Sequence, residues 1–263
     1  MRIGIFDSGM GGLSVLHQAR RMMPDAHFIY YADEAHVPYG EKTENEVREF
    51  VAEIIDFMLE KKVNAIVIAC NTATSVADRA FRSRFPVPII GMEPAVKTAV
   101  EQYGREGTRI LAAATPITIA GKKLHTLLEQ VDHRHIVDLV SLPGLVRFAE
   151  AGDFEASGVE AYLKEALAPF DLSQYSALVL GCTHFNYFKL RLGALFPRQI
   201  SFVDGIEGVL RQLNRKIEGI SAGMDPADIE YYFSGRPVTA DEKQRIQRYL
   251  DQLERMAEIR HNM

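Results

Sequence analysis

Two thiols, Cys70 and Cys182, are the only cysteines in this chain of 263 residues, and each ends the same local pattern. Ile66-Val67-Ile68-Ala69 precedes Cys70 and Asn71-Thr72 follows it. Leu178-Val179-Leu180-Gly181 precedes Cys182 and Thr183-His184 follows it. Both read as a buried strand, a small residue, a thiol and two polar residues. A single structural cysteine is commonly buried and inert, but two at matched strand ends point to a shared task. Thiols on opposite sides of one atom suit inversion of a carbon stereocentre, where one face loses a proton and the other gains one. A free thiol ionises at pH ~8.5, and neighbouring donors lower that value, so one partner can be thiolate base and the other thiol acid. A redox couple would show Cys-x-x-Cys, and a lone nucleophile leaves the second copy without a purpose.

Other polar groups fall at equivalent places. Asp7-Ser8-Gly9-Met10-Gly11-Gly12 lies between a strand pattern and a helical one. Its glycines allow tight turns, and a helix start offers N–H groups to an anion. It is neither a dinucleotide fingerprint nor a Walker loop, since Ser14 stands at the third glycine position and no Gly-Lys-Ser/Thr follows. Asp7 could receive a cationic amine, or cap the helix, while Ser8 supplies a hydroxyl. Pro38-Tyr39-Gly40 is a turn whose amides could reach a carboxylate, or an ordinary surface turn. Asn71-Thr72 and Thr183-His184 adjoin the thiols, with helix capping as their alternative role. Thr115 and Thr118 sit at the corresponding strand end of the second half, and His184 could polarise Cys182 or hold its proton. His133 and His135 lie in a connecting segment and read as solvated.

The elements that must position these groups alternate. Strand patterns fall at residues 2–6, 27–31, 65–69, 87–90, 109–113, 136–140, 177–180 and 200–203, separated by helical spacing. The clearest helix is 44–61, with Val47, Phe50, Val51, Ile54, Ile55, Met58 and Leu59 on one face and a capping box, Thr43 with Glu46, at its start. Runs apolar on both faces, such as Ala65-Ile66-Val67-Ile68-Ala69, indicate central strands of a covered parallel sheet. The fold class expected is therefore α/β, with two similar, mostly parallel α/β halves that each place polar residues at the carboxyl ends of their strands. Residues 2–6 echo 109–113 much as the first thiol segment echoes the second. Residues 240–263 place Ile246, Tyr249, Leu250, Leu253, Met256 and Ile259 at helical spacing, a segment that returns onto the first half or meets a second copy.

Composition narrows the function classes. Hydrophobic residues make up 47% and charged residues 25%, a globular profile. Thirty Lys+Arg against 35 Asp+Glu give a net charge of −5, which disfavours general nucleic-acid binding. No apolar run approaches the roughly 20 residues of a membrane span. The cysteine spacing fits no zinc site, and no metal is expected. The opening residues run straight into a strand without a signal-peptide pattern, so a cytoplasmic protein with reduced thiols is expected.

Taken together, Asp7-Ser8-Gly9-x-Gly-Gly, Pro38-Tyr39-Gly40, Cys70-Asn71-Thr72-Ala73, Ala114-Thr115-x-x-Thr118 and Gly181-Cys182-Thr183-His184 resemble the motifs of glutamate racemase, in order and spacing, over almost the whole chain. The resemblance implies a cofactor-independent isomerase that interconverts L- and D-glutamate and supplies D-glutamate for peptidoglycan. It implies two α/β domains, residues 1–94 with 205–263 and residues 95–204, facing each other across a central active-site cleft, and a homodimer. By the same resemblance Cys70 deprotonates D-glutamate and Cys182 L-glutamate, assisted by Asp7 and His184. Asp7, Ser8, Tyr39, Gly40, Asn71, Thr72, Thr115, Thr118, Thr183 and His184 form the substrate-binding set. Glu150, in Leu145-Val146-Arg147-Phe148-Ala149-Glu150, is a candidate assisting acid. Many relatives carry proline where this chain has Asn186, and His36 is atypical. A racemase of aspartate or another acidic amino acid, with the same two-cysteine logic, and a non-catalytic amino-acid-binding regulator are the competing readings; the Asp7-Ser8-Gly9 opening favours glutamate.

Overall fold

A computed structural model describes residues 1–93, 95–219 and 227–262. Pro94, at one expected domain boundary, and Met263 lie outside the described residues, as does the side chain of Ile259.

The strands are β1 (Arg2–Asp7), β2 (His27–Ala32), β3 (Ala65–Ile68), β4 (Ile89–Gly91), β5 (Arg109–Ala114), β6 (Val137–Ser141), β7 (Tyr175–Leu180), β8 (Ser201–Val203), β9 (Ile229–Phe233) and β10 (Arg236–Pro237). The helices are α1 (Leu13–Met22), α2 (Glu44–Glu60), α3 (Asn71–Val76), α4 (Arg79–Arg82), α5 (Val96–Tyr103), α6 (Pro116–Ala120), α7 (Lys122–Val131), α8 (Pro143–Ala151), α9 (Ser157–Leu167), α10 (Lys189–Gly193), α11 (Ile206–Ile217) and α12 (Ala240–Asn262).

One sheet has the order β10-β9-β2-β1-β3-β4 and the other β6-β5-β7-β8. Within them β2-β1-β3-β4 and β6-β5-β7-β8 are the same arrangement, all parallel. The internal echo of the sequence is thus a repeated sheet. Both thiols follow the strand beside the central one, Cys70 after β3 and Cys182 after β7. The sequence pattern had no strand at β9 or β10; β9 extends the first sheet by pairing parallel to β2, and β10 turns back antiparallel on β9.

Local chemistry explains the elements that hold the site. Helix α2 starts at the expected capping box, with Thr43 Oγ1 accepting from Glu46 N–H and the Glu46 carboxylate accepting from Thr43 N–H. It buries Val47, Val51, Ile54, Ile55 and Met58 against the first sheet, each burial stabilising by ~1.5–3 kcal/mol. Helix α12 buries Ile246, Tyr249, Leu250, Leu253 and Met256. It packs on α1, as expected from its return to the first half, and also on the segment Thr183–Phe188 of the second. The C-terminal helix therefore touches both halves.

Candidate active site

Two equivalent backbone bonds fix where the chain leaves each sheet. Ala69 N–H donates to Phe6 carbonyl at 2.8 Å, and Gly181 N–H to Ala113 carbonyl at 2.7 Å. The next residue in each case is the cysteine. Cys70 caps α3, its sulfur accepting from Ala73 N–H at 3.4 Å and its thiol donating to Ser8 Oγ at 3.8 Å. Cys182 makes no cap; its sulfur lies 3.5 Å from His184 Nδ1. Both thiols are buried and both line one cavity.

That cavity gathers most of the residues singled out by sequence. Ser8, Tyr39, Gly40, Cys70, Asn71 and Thr72 come from the first half, Thr115, Cys182 and His184 from the second. Pro38, Glu41, Pro116, Pro143 and Val146 complete the wall. Its volume is about 20 Å³, room for a single water and too small for an amino acid in this conformation. A groove of about 910 Å³ beside Arg82, Ile90, Gln102 and Arg211 is far larger but holds neither thiol.

Asp7, Thr118, Thr183 and Glu150 stand behind the wall rather than in it. Asp7 ends β1 fully buried and caps no helix; α1 is preceded by Gly12 without a side-chain cap. Instead its carboxylate accepts from Ser8 N–H and from Thr183 Oγ1, both at 2.8 Å. Thr118 shares a hydrogen bond of 3.0 Å with Thr115, which in turn meets Thr72 of the first half at 3.1 Å. Glu150 accepts from His184 Nε2 and, at 2.8 Å, from Met10 N–H.

The glycine loop differs from its expected role as a cradle for a ligand anion. Its Met10 N–H serves the protein's own Glu150 carboxylate. A methyl group at Gly9 would come within 2.1 Å of Glu150 Oε1, and one at Gly11 within 2.4 Å of Thr183 Oγ1 and 2.5 Å of His184 Nδ1. These glycines let the first half close onto the His184–Glu150 pair of the second.

The electrostatics are asymmetric. Burial pushes the Cys70 thiol well up, and the Asp7 charge adds to this, against the Ala73 N–H and Ser8 bonds. Burial also raises Asp7, offset in part by His184, Thr183 and Ser8. For His184 burial opposes the charge, but the hydrogen bonds and charges of Cys182 and Glu150 outweigh it and hold the ring well above its ordinary value. Burial opposes ionisation of Glu150 too, yet His184, Met10 N–H and Arg245 keep it low. The geometry accommodates two proton arrangements: a neutral ring accepting from the Cys182 thiol, or an imidazolium beside a thiolate. Both keep Nε2–H on Glu150.

Sequence reasoning did not supply the contacts of several groups here. The Tyr39 ring is buried and its hydroxyl donates to Asp33 at 2.6 Å, while His36, stacked on Phe50, and Ser234 bond the same carboxylate. Asn186, at the position of the atypical residue, donates to Thr183 carbonyl at 3.2 Å and so steadies the turn after Cys182. Glu41 and Arg147 pair across the halves at 2.6 Å. Arg245 of α12 reaches Glu34 and Glu150. The partners of Ser234, Arg147 and Arg245 are remote in sequence, and no local motif announces them. His133 and His135 are exposed, as expected. Among the described residues no group of three or more His, Cys, Asp or Glu side chains is placed to share a metal ion.

Known proteins resemble this chain over nearly its whole length. The Asp/Glu/Hydantoin racemase family profile matches residues 13–213. A glutamate racemase of Lachnospira eligens is 49% identical over 98% of this chain and 100% of its own length. One from Campylobacter curvus is 46% identical over 99% of this chain and 100% of its own. The Escherichia coli glutamate racemase, solved in complex with L-glutamate and activator UDP-MurNAc-Ala, superposes with a TM-score of 0.81 at 29% identity, covering 94% of each chain. Repeated sheets, paired thiols and full-length likeness converge: the chain belongs to the Asp/Glu/Hydantoin racemase family and, within it, to the glutamate racemases, which are amino-acid isomerases.

Proposed function

We propose that this chain interconverts L- and D-glutamate by two-thiol proton transfer at Cα. The observation that carries the reading is the opening of both thiols, from equivalent strand ends of the two sheets, into one cavity. Cys182, as thiolate, takes the α-proton of L-glutamate while the C–H electron pair passes into the α-carboxylate system. The Cys70 thiol then delivers a proton to the opposite face, giving D-glutamate and leaving Cys70 as thiolate; the D-to-L direction reverses these roles. His184, held well above its ordinary value, can carry a positive charge next to the sulfur that must turn negative. Asn71, Thr72 and Thr115 face the cavity with donors for the substrate carboxylates, which lowers the energy of the carbanion because those donors are already oriented. Asp7, Ser8, Tyr39, Gly40, Thr118, Thr183 and Glu150 complete the binding and assisting set.

The same reading takes residues 1–94 with 205–263 as one domain and 95–204 as the other, in a cytoplasmic homodimer that supplies D-glutamate for peptidoglycan. No helix among the described residues is long and apolar enough to cross a membrane. Incubation in D₂O with each glutamate enantiomer tests the chemistry. Deuterium should enter Cα as optical rotation decays to zero, whereas absence of exchange refutes the reading. A chiral assay on aspartate separates the glutamate assignment from its nearest alternative, and sedimentation mass tests the dimer.

A further inference from the structure

The surroundings of the two thiols differ in one respect that reaches far from the cavity. Cys182 contacts His184, and His184 contacts Glu150. The chain of contacts then continues into the C-terminal helix. Arg245 Nη2 lies 3.5 Å from Glu150 Oε2 and donates to the Glu150 backbone carbonyl at 3.1 Å. Its Nη1 donates to Glu34 Oε2 at 2.9 Å, beyond the end of β2. Glu150 Oε2 is buried and has no hydrogen-bond donor of its own, so the guanidinium supplies the countercharge on that side. Tyr249, one turn further along α12, donates to the carbonyls of Ala149 at 2.6 Å and Glu150 at 3.0 Å. Cys70, by contrast, is contacted by Ser8 and Ala73, neither of which bonds α12.

We infer that Arg245 is a positioning residue for the Cys182 half of the reaction, holding the Glu150 carboxylate and its charge so that His184 stays aligned with Cys182. Arginine suits this place: its charge is permanent, and its fork binds Glu34 with one nitrogen and Glu150 with the other. The guanidinium also lies over the rings of Phe233, 5.9 Å away, and Tyr249, 5.7 Å away, which fixes its plane. The first half, through Glu34, and the second, through Glu150, are thus tied to one side chain of α12. This inference rests on the proposed assignment of Cys182 to L-glutamate.

The test uses Cα-deuterated L- and D-glutamate with the full-length enzyme. Racemisation has an equilibrium constant of about one, so kcat/KM must fall equally in both directions and cannot reveal which thiol is impaired; isotope effects can. If Arg245→Met slows only the Cys182 step, the primary isotope effect on kcat/KM rises for L-glutamate, whose deuteron Cys182 removes. It falls for D-glutamate, whose deuteron Cys70 has already taken before Cys182 delivers its own proton. The accompanying loss in kcat/KM should be about tenfold or more, the worth of a hydrogen bond to a charged group. Arg245→Lys, which keeps the charge, should restore much of both. Glu242→Gln removes the carboxylate charge that Arg236 and Thr239 N–H meet at the start of α12 without touching Glu150, and should leave both isotope effects unchanged. Isotope effects that stay constant or move together in Arg245→Met, or a lysine variant no better than methionine, overturn the inference. An unsubstituted enzyme that fails to racemise glutamate refutes the proposed function instead.

Discussion

Thr183 donates a 2.8 Å hydrogen bond to Asp7, joining the loop that follows Cys182 to the last residue of the central strand of the opposite sheet. The bond is buried at both ends. It ties the halves together directly behind the cavity that a substrate must enter.

Thr183→Val leaves the Asp7 carboxylate with only the N–H and the more distant hydroxyl of Ser8 and should destabilise the protein by ~1.5–3 kcal/mol. The loss depends on pH in a defined direction. Asp7 already binds its proton more tightly in the folded state, so stability declines as pH rises from the unfolded value, ~3.9, through the folded one. Removing a donor raises the folded value further. Urea unfolding should show a deficit that grows as pH rises through the folded value of the carboxyl, and Thr183→Ser should restore stability; a deficit independent of pH contradicts this account.

Replacing either thiol should abolish racemisation with little effect on folding. General acid–base groups contribute ~10²–10⁴-fold, and losses of that order are expected for both Cys70→Ser and Cys182→Ser. Serine caps helices well, so Cys70→Ser keeps the α3 start and its thermal midpoint should match the parent. Comparable turnover in either variant, by polarimetry, excludes the two-thiol mechanism.

Two glycines should respond oppositely to alanine. Gly11→Ala forces a methyl onto His184 Nδ1 and Thr183 Oγ1, and overpacking of this kind costs ~1–3 kcal/mol; activity should fall with it. Gly208 lies in α11 with nothing within 4 Å of the added methyl. There alanine restricts only the unfolded chain and should stabilise by ~0.5–1 kcal/mol without changing turnover. Denaturation curves and assays of the two variants side by side decide the point.

Glu150→Gln removes the charge on the far side of His184. The folded ring now holds its proton well above its ordinary value, despite burial, through Cys182 and Glu150. Its contribution to stability is complete below the unfolded value of ~6.5 and disappears as pH rises through the folded one. With glutamine the folded value drops, so the alkaline decline of stability should flatten. Nitrogen NMR of His184 should titrate at lower pH than in the parent, and kcat/KM should fall by about one to two orders of magnitude. An unmoved titration would show that Cys182 alone holds the proton.

The α/β class, the repeat and the thiols were legible in sequence because they are written locally. A buried strand ending in a small residue and a cysteine needs only a run of neighbours to be recognised, as does the Thr43–Glu46 capping box. Strand β9 escaped that reading: Ile229-Glu230-Tyr231-Tyr232-Phe233 becomes a strand by pairing with β2, from the other end of the chain. The site divides the same way. Chain order alone determined that Cys70 and Cys182 would end matched strands beside Asn71, Thr72, Thr183 and His184. Only the tertiary structure decided that both sulfurs meet one small cavity, that Gly9 and Gly11 admit Glu150 and His184, and that Arg245 from the last helix faces Glu150. Those relations depend on sheets closing over each other, and burial of a carboxylate or an imidazole takes its cost and its partners from whatever surface arrives opposite it.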